Sequence, residues 1–130
     1  MKLMTKEIED MLVGAFEGGS NYWIREIDFI KPKDSDLYQH SFKLHGEEKV
    51  VYKHVQYPMS VGGAVKIIIR EDDGTAGEIV ILDIGAIKKG IAVMAEKYPR
   101  HYGDMLGDNH DADTADVFLQ CCVFGEIVFG

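Results

Sequence analysis

The chain of 130 residues has few cysteines and no long apolar run. No stretch approaches the roughly 20 apolar residues of a membrane-spanning helix, and Glu7, Glu9 and Asp10 interrupt the N-terminal segment, unlike a signal peptide. The two cysteines, Cys121 and Cys122, are neighbours. Adjacent cysteines form a disulfide only through a strained small ring, so we expect two reduced thiols and a cytoplasmic location.

Positive charge is also scarce, because 14 Lys and Arg face 22 Asp and Glu, for a net charge of −8. Binding to a phosphate backbone depends on clustered cations, so direct contact with nucleic acid is not expected. The length suits one hydrophobic core, and we predict a single compact domain over residues 1–130. Composition alone indicates an acidic α+β domain and no particular activity.

Apolar residues at helical spacing predict three helices. The first spans about 4–17, and two glycines follow it. The second spans about 84–98, with Asp83 as its N-cap and Pro99 as its end. The third spans about 114–124.

Alternating apolar residues predict a β-hairpin over about 64–82, with a turn at Asp72–Thr75 and one face formed by Val65, Ile67 and Ile69. The expected fold class is therefore α+β, with an antiparallel sheet that contains this central hairpin and packs against two or three helices. Glycines of the second helix, such as Gly90, would allow close packing on the sheet.

Other segments carry weaker patterns. The pattern of residues 24–30 predicts a strand, with Trp23, Ile27 and Phe29 on one face. The pattern of residues 37–57 favours two short strands. Residues 57–63 are rich in helix and strand breakers, which is typical of a mobile loop. The apolar segment Ile127–Phe129 is expected to pack against the body or against another subunit, so a homo-oligomer through the C-terminal segment stays open.

Five aspartates, Asp104, Asp108, Asp111, Asp113 and Asp116, lie between residues 103 and 116. An EF-hand loop that starts at Asp111 would need glycine at its sixth position and glutamate at its twelfth, where this chain has Asp116 and Cys122. The preferred interpretation is a solvated acidic loop, with Asp113 or Thr114 capping the last helix and Asp116 in its first turn. We predict no metal site.

Catalytic patterns are missing from the sequence. The five histidines show no H-x-x-x-H spacing, and Cys122 lies on the apolar face of a predicted helix, where a thiolate would be poorly stabilised. We therefore predict neither a catalytic residue nor a cofactor.

The turn after the first helix is a better candidate for a binding site. Aromatic rings beside a glycine turn offer a rigid, partly polar surface, although a single tryptophan is more typical of a core. The candidate residues of this turn are Glu17, Ser20, Asn21, Tyr22 and Trp23, and those of the acidic stretch are Asp111, Asp113 and Asp116.

Two stretches, EGGSNYW at 17–23 and DADTADVFLQ at 111–120 followed by FGEIVFG at 124–130, resemble small proteins encoded by bacteriophages and prophages. That group carries no established activity. The resemblance implies a phage genome as the source, a host cytoplasm as the location and an accessory role, such as inhibition of host defence.

Three hypotheses of function follow. The first is a non-catalytic acidic binding protein that engages a host protein, such as a defence nuclease with a basic channel. The alternative is a nucleotide- or metabolite-binding protein, or a small enzyme, with its site between the Gly18–Trp23 turn and the Asp111–Asp116 loop. The third is a self-assembling role through an exposed Ile127–Phe129 segment.

Overall fold

The computed structural model describes residues 5–30, 41–43, 63–107 and 111–130. In chain order the elements are α1 (Thr5–Gly14), a π-helical turn (Ala15–Gly19), β1 (Ile24–Ile30), β2 (Ser41–Lys43), β3 (Ala64–Arg70), β4 (Ala76–Leu82), α2 (Ile84–Lys97), α3 (Pro99–Leu106) and α4 (Ala112–Phe124). The chain is thus an α+β protein, as predicted. Within the described part, no helix combines the length and apolar character that a bilayer span needs.

The four strands form one antiparallel sheet in the order β2-β1-β3-β4. In the register, Ile27 lies opposite Ile67 and Phe29 opposite Val65. Since side chains alternate between the faces of a strand, the side chains of these four residues share one face of the sheet, and all four are fully buried. The β3–β4 hairpin and its buried face confirm the predicted pattern. Ile24 is buried as well, because the β1–β3 register shifts between Ile24 and Glu26.

The opposite face of the sheet is more exposed. There Ile79 lies opposite Ile68, and Ile81 lies opposite Lys66. Ile79 is 56% exposed and Ile81 is 44% exposed, so β4 presents apolar side chains outward. The hairpin therefore separates a buried face from an outer face of mixed polarity.

The helices cover the buried face and surround α4. Every residue of α4 from Thr114 to Cys122 is buried, and α4 packs against α1, α2, α3 and β4. A helix that is buried on all sides occupies the interior of a fold, so α4 is the central helix of this protein. The Asp83 carboxylate accepts a hydrogen bond from Ala86 N at 2.8 Å, which confirms the predicted N-cap of α2.

Four sequence predictions need correction. The α-helical part of the first helix ends at Gly14, three residues before the predicted end at 17, and a π-helical turn follows it. Gly90 packs not on the sheet but on α4, where an added Cβ would lie 2.8 Å from the backbone nitrogen of Cys122. Pro99 ends α2 and also starts α3, a helix that the sequence analysis missed, since proline at the first helical position already has the required φ.

The fourth correction concerns the acidic stretch. Residues 103–106 belong to α3, and α4 begins at Ala112 with Asp111 as its N-cap, instead of Asp113 or Thr114. The Asp111 carboxylate accepts a hydrogen bond from Thr114 N at 3.0 Å. The predicted strand after residue 43 and the predicted loop at 57–62 lie outside the described residues.

Candidate binding cleft

The two halves of the predicted site meet at Asp116, in the second turn of α4. Its side chain is not solvated, as the sequence analysis expected, because the residue is only 8% exposed. Asp116 Oδ1 accepts hydrogen bonds from Ser20 Oγ at 2.7 Å and from Trp23 Nε1 at 2.7 Å. Asp116 Oδ2 accepts from Tyr22 Oη at 2.6 Å and from Gln120 Nε2 at 3.1 Å. A buried carboxylate needs such partners, so Asp116 holds the turn after α1 against α4.

Gln120, one helical turn after Asp116, holds the C-terminal tail. Its Oε1 accepts hydrogen bonds from Val128 N at 2.8 Å and Phe129 N at 2.9 Å, and its Nε2 donates to Phe129 O at 3.2 Å. Farther back, Tyr98 Oη accepts from Ile127 N at 2.9 Å. Side chains therefore supply the partners that a neighbouring strand would otherwise give to this backbone.

Three aromatic rings complete this junction. Trp23 and Phe129 are stacked, with ring centroids 5.5 Å apart and planes 9° from parallel, and Phe124 lies 5.3 Å from Trp23. Trp23 is 1% exposed, so it is a core residue. Phe129 packs against the core as predicted, whereas Ile127 and Val128 are exposed on the single chain, so their predicted contact with another subunit stays a prediction.

Tyr22 stands at the surface of the junction and is 49% exposed. Partial burial raises the pKa of its phenol to about 12, and the hydrogen bond to Asp116, the Asp116 charge and the charge of Asp113 act in the same direction. The Tyr22 ring therefore carries a neutral hydroxyl that is committed to Asp116, while part of the ring stays open to solvent.

A cleft of about 380 Å³ opens beside this ring. The Tyr22 ring, two carboxylates, a histidine and the C-terminal tail form its walls. His101 of α3 lies on the wall with its Nδ1 3.2 Å from Thr114 Oγ1. The lining residues are Tyr22, His101, Asp113, Asp116, Val117, Gln120, Ile127, Phe129 and Gly130.

Only some of the eight predicted site residues lie at the cleft. Three of them, Tyr22, Asp113 and Asp116, line the cleft, whereas Ser20 and Trp23 bind Asp116 from inside the core. Glu17 is exposed on the π-helical turn, Asn21 is half-buried, and Asp111 caps α4. The hydrogen bond from Thr114 N lowers the pKa of Asp111, which agrees with this capping role.

The sequence analysis missed Gln120 and His101. The spacing of Asp116 and Gln120, four residues apart in an otherwise apolar helix, places both on one face and is a signal of a buried polar pair. His101 carried no such signal, because its place depends on α3, which was not predicted.

The two cysteines lie away from this cleft. Both are buried and unpaired with each other. Burial raises the pKa of Cys121 to about 11 and that of Cys122 well above its ordinary value. Thiols in this environment are poor nucleophiles at neutral pH. Within the described part of the chain, no group of three or more acidic, histidine or cysteine residues is arranged to hold a metal ion.

Compared with known proteins, the chain matches no family model, no curated protein and no solved structure. The segments 17–23 and 111–130 meet in the structure. Ser20, Tyr22 and Trp23 come from the first, and Asp116, Gln120 and the stacked Phe129 come from the second.

Proposed function

We propose that this chain is a non-catalytic acidic binding protein of bacteriophage origin that engages a basic surface of a host protein. The observation that carries the proposal is the sign of the exposed charge. Among the described residues, the exposed basic side chains are Lys88, Lys89, Lys97 and Arg100. The exposed acidic side chains are Glu17, Glu71, Asp72, Asp73, Glu78, Asp83, Glu96, Asp111, Asp113 and Glu126.

Several of these acids lie near the start of β1. The hairpin turn is beside β1, because Arg25 Nε donates to Gly74 O at 3.2 Å, and α4 is beside the preceding turn, because Ser20 donates to Asp116. We call this region the acidic end, and its exposed acids are Glu17, Glu71, Asp72, Asp73, Asp111 and Asp113. The partly exposed Arg25 and Arg70 lie beside the hairpin turn, so the acids are in excess there. A concentration of one charge accelerates association with an oppositely charged surface and selects against like-charged ones. A basic nucleic-acid channel of a host nuclease has the complementary charge.

Affinity capture from a bacterial host lysate tests this proposal at low and at high salt. The informative variant is Glu71→Gln with Asp72→Asn, which removes two charges from the acidic end. Glu96→Gln with Glu126→Gln removes two exposed charges elsewhere and is the matched control. The captured protein is then purified, and its association rate and its nucleic-acid binding are measured with each variant.

We expect added salt to release the partner and the acidic-end variant to slow association by roughly three- to tenfold, with the control within about twofold. The captured protein should bind nucleic acid less well in the presence of this chain. Failure to capture a protein at low salt, or capture that neither salt nor the variant weakens, contradicts the proposal.

The cleft beside Tyr22 favours a second candidate, a nucleotide- or metabolite-binding protein. Its volume of about 380 Å³ falls in the range of small-molecule sites. Thermal-shift measurements with nucleotides and divalent ions test this candidate, because a ligand that binds the native state raises Tm. A set of nucleotides and ions that leaves Tm unchanged up to millimolar concentration contradicts it.

A further inference from the structure

We propose that the cleft beside Tyr22 receives an arginine side chain of the basic partner, with Asp113 as counter-ion and the Tyr22 ring as stacking surface. This inference deepens the proposed function and rests on it for the identity of the partner's surface. It adds to the general negative charge of the acidic end one defined contact, at which an arginine of the partner binds.

The Tyr22 ring is half-exposed, and its position is held. Its hydroxyl donates to Asp116 Oδ2 at 2.6 Å and accepts from Gln120 Nε2 at 3.3 Å, so the far end of the side chain is tied to α4. A fixed, half-exposed aromatic face is a favourable surface for a planar guanidinium, which gains both stacking and cation–π attraction. Because the ring is already held in the free protein, binding orders little of this wall.

Two carboxylates line the cleft, but they differ in burial and in hydrogen bonding. Asp116 accepts hydrogen bonds from four side chains and is buried. Asp113 is exposed, and within the part of the chain that the structure describes its carboxylate has neither a hydrogen bond nor an ion pair. Asp113 is therefore the carboxylate that can pair with an incoming cation.

The charge of the cleft also selects against phosphate groups. Asp113 and Tyr22 line the same cleft, and the charge of Asp113 is the smallest of the causes that raise the pKa of Tyr22. A nucleotide phosphate in the same space would face the two carboxylates of Asp113 and Asp116, with His101 as the one basic side chain among the described lining residues. The cleft thus fits a cation better than an anion.

The remaining walls suit the stem of an arginine. Val117, Ile127 and Phe129 give apolar surface along which methylene groups can lie while the charged end reaches Asp113. Arginine is favoured over lysine because its planar group pairs with a carboxylate in a bidentate manner and stacks on a ring at the same time. Arginine is also enriched among the residues that dominate binding energy at protein interfaces.

The experiment is an NMR titration of the ¹⁵N-labelled protein with N-acetyl-arginine methylamide. The matched probe is N-acetyl-citrulline methylamide, which has nearly the same shape and no charge. Asp113→Asn tests the counter-ion, and Glu96→Gln, an exposed acid on α2 outside the acidic end, is the control variant. Amide spectra of each variant without probe verify the fold.

We expect saturable shifts at the amides around Tyr22 and Asp113 with a Kd on the order of millimolar, no saturable shifts with the citrulline probe, and binding about three- to tenfold weaker in Asp113→Asn. Glu96→Gln should change Kd by less than about twofold. Equal binding of the two probes, or an unchanged Kd in Asp113→Asn, overturns the inference. So does a nucleotide that binds the cleft more tightly than the arginine probe.

The outcome can be separated from that of the proposed function. If the arginine probe does not bind the cleft but salt-sensitive capture of a basic host protein persists, the anchoring site is wrong and the function stands. If the probe binds the cleft as expected but the lysate yields no partner at low salt, the arginine preference of the cleft stands and the function as a host-protein ligand falls.

Discussion

Replacement of Asp116 by alanine should destabilise the protein by about 4 kcal/mol. The carboxylate accepts hydrogen bonds from Ser20, Tyr22, Trp23 and Gln120. The substitution therefore takes away the acceptor that these four donors share. Ser20 and Trp23 are buried, and each buried donor left without a partner costs roughly 1–3 kcal/mol. The Tyr22 hydroxyl lies closer to the surface and can turn to water, so it adds little.

Asparagine at the same position should cost less, about 1–2 kcal/mol. Its carbonyl oxygen can replace Asp116 Oδ1 and keep the bonds from Ser20 and Trp23. Its amide would replace Oδ2 and then oppose the amide of Gln120, so that two donors face each other. Asp113→Asn, an exposed substitution on the same helix, is the control and should stay within about 0.5 kcal/mol.

Equilibrium unfolding in urea measures these differences, with far-ultraviolet circular dichroism and the fluorescence of Trp23 as two probes. Trp23 is the only tryptophan of the chain and is 1% exposed, so its emission reports the junction directly. A loss below about 1 kcal/mol for Asp116→Ala, or a loss equal to that of the Asp113→Asn control, would refute the assignment of Asp116 as the residue that joins α4 to the turn.

Three further predictions concern close packing and titration. Gly90→Ala should lower the free energy of unfolding, measured in urea, by about 1–3 kcal/mol, because the new Cβ would overlap Cys122. In the control Gly103→Ala in α3, the new Cβ meets nothing within 4 Å, so this variant should be as stable as the original or more stable. Equal effects of the two substitutions would contradict this prediction. The pKa of Tyr22, about 12 against an ordinary 10.0, favours the neutral phenol in the folded state, so its contribution to stability is full below pH 10 and is lost as the pH rises through 12. The ultraviolet titration of the native protein minus that of Tyr22→Phe should show this midpoint, and a midpoint near 10 would contradict the environment described. The thiols of Cys121 and Cys122 should react with a disulfide reagent at pH 8 much more slowly in the native protein than in urea, and equal rates would show that they are accessible.

Periodic patterns explain why the hairpin and α2 were predictable. Val65, Ile67 and Ile69 alternate on a strand that packs on one side only, and Asp83 caps a helix whose apolar residues recur at helical spacing. In both cases the local pattern and the tertiary packing agree. The α4 boundary was placed two residues late, because Asp113 and Thr114 were considered as caps and the actual cap, Asp111, stands only two residues before Asp113, where local sequence does not distinguish the three.

The proximity of the two segments was part of one sequence hypothesis, but the hydrogen bonds that join them were not predicted. The sequence indicated that the turn at 18–23 and the stretch at 111–116 carry unusual residues, and the structure brings them into contact. Local rules assigned Asp116 to solvent, since an aspartate in the first turns of a helix is normally exposed. Its burial depends on Ser20, Tyr22 and Trp23, which are more than 90 residues away in the chain. Long-range partners of this kind leave no periodic trace.

The hydrogen bonds between Gln120 and the backbone of the tail fix the number of residues between Gln120 and Phe129. Gly125 ends α4 with a left-handed φ of 77°, which other residues rarely adopt, and the chain then returns past Gln120. An insertion of one residue between Gly125 and Val128 would bring different amides to Gln120 and turn Phe129 away from Trp23. This segment therefore tolerates changes of side chain at Ile127 and Val128 far better than any change in its length.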